Sequence, residues 1–240
     1  NSINIIGNIH NIWERDALGN IKAVGERGRV NPVSIIEDIK QKQETNRIIA
    51  NAGLKIRPFK GLTVDYTMGI DQYAQKGETF IPPFAYNVSD GFFGGGAALD
   101  PTRNGYASAG NYNFFQINND LNATYQTKIT PDITSTSQLG YSLQYEKSGY
   151  TLLQSRGLAP FVQTATGGST ILQGVDERSE FSVWGYFFQQ NFGYKNLLYV
   201  TGDIRVDGSS VFGKDQRDQK YLKSSGSYVI SEQKKKKKSK

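Results

Sequence analysis

The chain has no cysteine, one histidine and one methionine among its 240 residues. Without thiols there is no disulfide framework and no Cys-based metal site. The one histidine, His10, stands in a poorly patterned N-terminal stretch with no partner motif around it, so a strand-end histidine is a simpler reading than a Ser-His pair. One imidazole is also too few for a zinc centre, and no cofactor is expected. No run of about 18 apolar residues occurs, which excludes a transmembrane helix. The opening Asn1-Ser2-Ile3-Asn4 lacks the basic and apolar regions of a signal peptide, so an export signal is expected upstream. Surplus charge is missing too. Lys234–Lys238 and Lys240 supply six of the 28 basic residues, and the other 22 (28 − 6) balance 22 acidic ones. The pI of 9.3 therefore rests on the tail, and no nucleic-acid partner is expected.

What the chain does have is long alternation. In Phe115–Gln126, one face reads Phe115, Ile117, Asn119, Leu121, Ala123 and Tyr125, and the other reads Gln116, Asn118, Asp120, Asn122, Thr124 and Gln126, all polar. Successive side chains of a strand point to opposite faces, so one face is apolar and the other wet. Ordinary strands run about 5–6 residues, whereas a strand tilted across a bilayer needs about 9–11 or more. Mean hydropathy of −0.51 does not oppose a membrane wall, because only every second residue of such a strand meets lipid.

The pattern predicts three hairpins and a seventh strand. Thr45–Ile56 pairs with Leu62–Tyr73 through a Pro58/Gly61 turn, Asn113–Lys128 with Ile133–Lys147 through Pro131-Asp132, and Arg178–Tyr194 with Leu197–Asp207 across Lys195-Asn196; Tyr221–Ile230 follows. The first strand of the third hairpin is apolar on both faces around Trp184–Phe188, which leaves its lipid side unassigned. Residues 74–112 and 148–177 read as long loops. Residues 1–44 read as an outer loop region with the end of an earlier strand, a turn at Asn31-Pro32 and a short helical turn over Val33–Lys40. Residues 45–232 form the patterned region, and 233–240 a basic tail.

Short turns alternate with long loops, as in outer-membrane barrels, and aromatics collect near strand ends as girdles do. The fold class is thus all-β: an antiparallel transmembrane β-barrel segment of about seven long strands. Seven strands are too few to close a bacterial barrel, and open edges in lipid leave backbone groups unpaired. The segment is therefore expected to be incomplete and to aggregate alone. A soluble β-sandwich adhesin or glycan-binding module is the alternative of another class, with shorter strands and turns every 8–12 residues or so.

No residue set favours an enzyme. Asp203 and Asp207 share a strand face, but Arg205 lies between them, so charge pairing is simpler than paired-carboxylate chemistry. Gly91–Gly96 lacks the GK[ST] ending of a phosphate loop. Asp65, Asp71, Asp120, Gln138, Asp203 and Arg205 are the candidates for a polar, lumen-facing lining.

Arg205-Val206-Asp207-Gly208-Ser209-Ser210-Val211-Phe212-Gly213 resembles a motif of the SusC/RagA family, TonB-linked outer-membrane proteins of the Bacteroidota. Asn31-Pro32 with Thr45-Asn46-Arg47, Lys60-Gly61-Leu62-Thr63 and Ser227–Glu232 resemble further family stretches in the same order. The resemblance spans roughly residues 31–232. Within the motif, Arg205, Asp207, Gly208, Ser209, Ser210, Phe212 and Gly213 are the matching positions.

The resemblance implies a barrel of about 22 strands with a luminal plug, embedded in outer-membrane lipid. It implies import of oligosaccharides or peptides, a SusD-like lipoprotein over the loops, and a TonB complex acting through a plug absent from this chain. A siderophore-type TonB-dependent receptor or a passive porin is the alternative within membranes. The lysine run after Gln233 departs from the family pattern and is read as a truncated or frame-shifted end.

Overall fold

The computed structural model describes residues 11–22, 31–85, 102–213 and 217–230. His10, the Gly91–Gly96 run, Ser231-Glu232 and the lysine tail lie outside them. The elements, in order, are α1 (Pro32–Glu37), β1 (Lys40–Ile56), β2 (Leu62–Ile81), β3 (Tyr106–Thr130), β4 (Ile133–Arg156), β5 (Thr170–Ile171), β6 (Val175–Tyr194), β7 (Leu198–Ser209) and β8 (Asp218–Tyr228). They make one sheet in the order β1-β2-β3-β4-β6-β7-β8, with the two-residue β5 paired to β4. Seven long antiparallel strands are present, as the alternation predicts, and among the described residues the sheet does not close.

The strands overrun their predicted ends on the loop side. β2 continues to Ile81, β3 begins at Tyr106 and β4 continues to Arg156. The cause is physical: alternation marks only the part of a strand that keeps an apolar face, whereas the hydrogen-bond ladder needs none. At about 3.3 Å per residue, the 25 residues of β3 reach roughly 80 Å, far beyond a hydrocarbon core of about 30 Å.

The chain divides into two compact units. The first holds Asn1–Asn46, Tyr73–Asn113 and Ser148–Arg178. Among the described residues, all the buried large hydrophobic side chains belong to it: Ile21, Ile39, Phe80, Ile81, Phe84 and Leu158. Phe80, Ala107 and Leu158 form its core cluster, with Val162 packed against them. Irregular backbone here is tied down by short polar side chains. Asn31, 1% exposed, N-caps α1 by accepting from Val33 N at 2.9 Å, and its Nδ2 donates to Ile12 O (2.9 Å) and Lys22 O (3.0 Å). Asn104 grips Phe84, accepting from its N–H at 2.8 Å and donating to its carbonyl at 2.7 Å. Asn20 donates to Pro83 O, and Asp16 accepts from Ala85 N. The helical turn thus lies over Pro32–Glu37, within a residue or so of its predicted start.

The second unit holds Arg47–Gln72, Phe114–Lys147 and Ser179–Lys240, and it contains the tight turns. Gly61 has φ +94°, and its carbonyl accepts from Gln126 N at 2.8 Å; a Cβ there would run into the Gln126 carbonyl. Only glycine meets both conditions. Lys195 (φ 51°) and Asn196 (φ 57°) both take the left-handed conformation that a primed hairpin turn requires. Large apolar side chains stay exposed in this unit, among them Leu139 (58%), Ile204 (52%) and Leu222 (81%). A sandwich would bury such a face against a second sheet.

Candidate functional site

Pairing register assigns the faces. In the β6–β7 pair, Tyr186 lies opposite Val206, Phe188 opposite Ile204, Phe192 opposite Val200 and Tyr194 opposite Leu198. Even-numbered residues of β6 therefore share the apolar face with even-numbered residues of β7, which resolves the strand that sequence left unassigned. Odd residues of β6 join the polar face, where Gln189 lies opposite Asp203, and the Phe187 ring sits against Gly140 of β4.

The polar face carries ion pairs between neighbouring strands. Arg47 forks onto Asp71, with Nε and Nη2 at 2.9 and 2.6 Å from its carboxylate oxygens. Lys55 Nζ lies 2.9 Å from Asp65 Oδ1. Arg205 donates to both Asp207 oxygens at 2.8 Å, and not to Asp203, which lies opposite Lys223 in register. Asp120 and Gln138 share this face by alternation, the former exposed and the latter half-buried. The structure thus joins Asp65, Asp71 and Arg205 each to a charged neighbour.

In the first unit, the loop-side ends of β1–β4 line a hollow of about 490 Å³. Gln41, Gln43, Gln75, Thr79, Tyr112 and Tyr150 contribute amides, a hydroxyl and phenol rings. Tyr112 packs on Tyr73 with ring centroids 5.5 Å apart. Sequence reading missed these residues because 1–44, 74–112 and 148–177 looked like loops. The available signal was parity: Tyr73, Gln75, Gly77 and Thr79 continue the odd-numbered polar face of Asp65 and Asp71.

The Arg205–Gly213 stretch is a strand-ending device. Asp207 lies opposite Gly185 and its carboxylate covers that glycine, while Trp184 lies opposite Gly208 and covers it in turn. Ser182 N donates to Ser210 Oγ at 2.8 Å, and Ser210 N to Ser182 O at 2.9 Å, which continues the pairing past Ser209. Ser209 Oγ then accepts from Val211 N at 3.3 Å as the chain turns away.

No protein-family model matches the chain, and no curated protein matches it. Solved structures do. A chain of the RagAB peptide transporter matches with a TM-score of 0.68 at 16% identity, over 85% of this chain and 22% of that one. The RagAB peptide importer in the 'open-open' state gives 0.68 at 19% identity, over 84% and 21%. The 'closed-closed' state gives 0.70 at 18% identity, over 85% and 22%. This chain has the fold of a β-barrel segment of those transporters. It spans about a fifth of the length of the transporter chains it matches.

Proposed function

We propose that the chain forms part of the barrel wall of a TonB-dependent outer-membrane importer. The observation that carries this reading is the two-faced sheet: long antiparallel strands with an exposed apolar face on one side and cross-strand ion pairs on the other. In lipid every backbone group must be paired, so a sheet of this kind is viable only within a closed barrel.

In this reading the region 45–232 is wall, residues 1–44 belong to the outer loops and 233–240 form a tail. The polar face, with Asp65, Asp71, Asp120, Gln138, Asp203 and Arg205, lines the lumen. Cargo is an oligosaccharide or a peptide, met at the mouth by the amide- and tyrosine-lined hollow. A SusD-like lipoprotein closes over the loops, and TonB acts through a plug supplied by the remainder of the barrel. The segment itself does no catalysis.

Uptake measured in cells carrying the importer tests this. Replacing Tyr112 and Gln75 by alanine is expected to lower uptake of labelled oligosaccharide or peptide while leaving the protein in the outer membrane. Recovery of the protein in the soluble fraction without detergent would contradict the wall.

A further inference from the structure

The apolar face of the second unit bears a groove of about 400 Å³ beside the tight turns. That volume falls in the range of about 300–1,000 Å³ typical of small-ligand sites. Ile129, Ile133, Phe192, Tyr194, Leu198 and Val200 line it, with the Gly193 backbone. Among the described residues no charged side chain lines the groove, so water gains little there and a hydrocarbon chain fits.

Its turn end is cationic. Residues 57–61, 128–132 and 195–196 carry Arg57, Lys60, Lys128 and Lys195 against one anion, Asp132. The turns are linked to one another: Lys195 N donates to Asp132 O at 2.8 Å, and Gln126 N to Gly61 O. Lys195 Nζ stands 5.0 Å from the centroid of the Tyr194 ring, at the groove's rim, and 3.4 Å from Asp132 Oδ2. Tyr194 and then Asp132 raise the Lys195 pKa from its ordinary value, so the ammonium stays charged. It has three donors, its side chain is 36% exposed, and the Tyr194 hydroxyl and Asp132 engage two of them, which leaves one.

We propose that this groove holds one acyl chain of an anionic phospholipid, with the headgroup phosphate on Lys195. The acidic headgroup follows from the excess of cations on the three turns, and the acyl chain from the apolar lining. Tyr194 combines both roles as an interfacial aromatic: ring in the groove, hydroxyl at the rim. The inference rests on the membrane reading above.

The test uses the importer that carries this segment, purified in detergent, with native mass spectrometry against added dioleoylphosphatidylglycerol or dioleoylphosphatidylcholine. The glycerol lipid is expected to be retained over the choline lipid. Lys195→Gln should lower retention of the glycerol lipid by about fivefold, the effect of one basic residue at an anionic surface, and that of the zwitterionic choline lipid less, because its own ammonium already offsets its phosphate. Val200→Trp, which fills the groove, should reduce both lipids; Leu222→Trp, on the same face outside the groove, should reduce neither. Equal retention of the two lipids, or retention unchanged in Val200→Trp, overturns the proposal. If the importer stays monodisperse without detergent, the membrane reading itself fails; if it needs detergent and holds both lipids alike, only this inference does.

Discussion

Trp184 and Gly208 face each other across β6 and β7, and the indole occupies the space that a side chain at 208 would need: a Cβ there would lie 2.5 Å from Trp184 Cε2. One register step away the roles reverse, with Asp207 covering Gly185. Each strand thus supplies one large and one small residue to the end of the pair, which fixes its register through shape.

Gly208→Ala should therefore destabilise the protein by about 1–3 kcal/mol through overpacking. In Gly208→Ala/Trp184→Ala the clash is gone, so the double variant should lose less than the sum of the singles. Urea unfolding in lipid vesicles measures all three. Strict additivity would show that the indole does not rest on Gly208.

Tyr66 Oη donates to Asn119 Oδ1 at 2.6 Å on the apolar face, where Asn119 is the polar exception in its row. Tyr66→Phe should cost about 1–3 kcal/mol, because it strands the amide. Tyr66→Phe/Asn119→Leu should recover most of that, since removing both partners leaves nothing unpaired. The same unfolding assay decides it, and a double variant as weak as the single one would refute the pairing.

Asn31 holds three backbone groups from one buried position. Asn31→Ala removes the N-cap and orphans two carbonyl contacts, at a combined cost of about 1–3 kcal/mol. Local opening of residues 11–22 and 31–38 should follow. Amide hydrogen exchange should quicken at least about tenfold at Ile21 and Val33, with Phe188 and Ile204 unaffected. Unchanged exchange at Ile21 would mean that Asn31 is not the tie.

Asp38 accepts from Ile21 N at 2.9 Å, and burial raises its carboxyl pKa above the ordinary 3.8. The folded form then binds the proton more tightly than the unfolded form. Its stabilising contribution is complete below the unfolded value and is lost as pH rises through the folded one. Protection of the Ile21 amide, after correction for intrinsic exchange, should fall across that window, and Asp38→Asn should flatten the fall. A rise in protection with pH would reverse the sign and contradict the desolvation argument.

Strand existence and turn positions were legible in the sequence because one face of each strand is apolar over a dozen residues and turn chemistry is local. Loop-side strand ends were not, since Gln41, Gln75 and Tyr150 extend the ladder where no face has to be greasy. The apolar side of β6 was equally hidden: Trp184–Phe188 is apolar on both faces, and only its pairing with Val206 and Ile204 separates them. Candidate site residues divide the same way. Asp65, Asp71 and Arg205 could be placed on a polar face by parity, but that Arg205 pairs with Asp207 and not Asp203 depends on rotamer and register. Asn31 reads as a turn residue and Asn104 falls in a long loop, and nothing local tells which distant backbone groups they hold.

The central claim is that β6 and β7 present one face to lipid and the other to water. The absence of cysteine makes a labelling scan clean. Single cysteines at Tyr186, Phe188 and Phe192, and at Gln189 and Asn191, can each be challenged with a membrane-impermeant maleimide in outer-membrane vesicles. The account predicts a period of two: the even positions protected until detergent is added, the odd positions labelled throughout. Uniform labelling along β6, with no change on adding detergent, would contradict it.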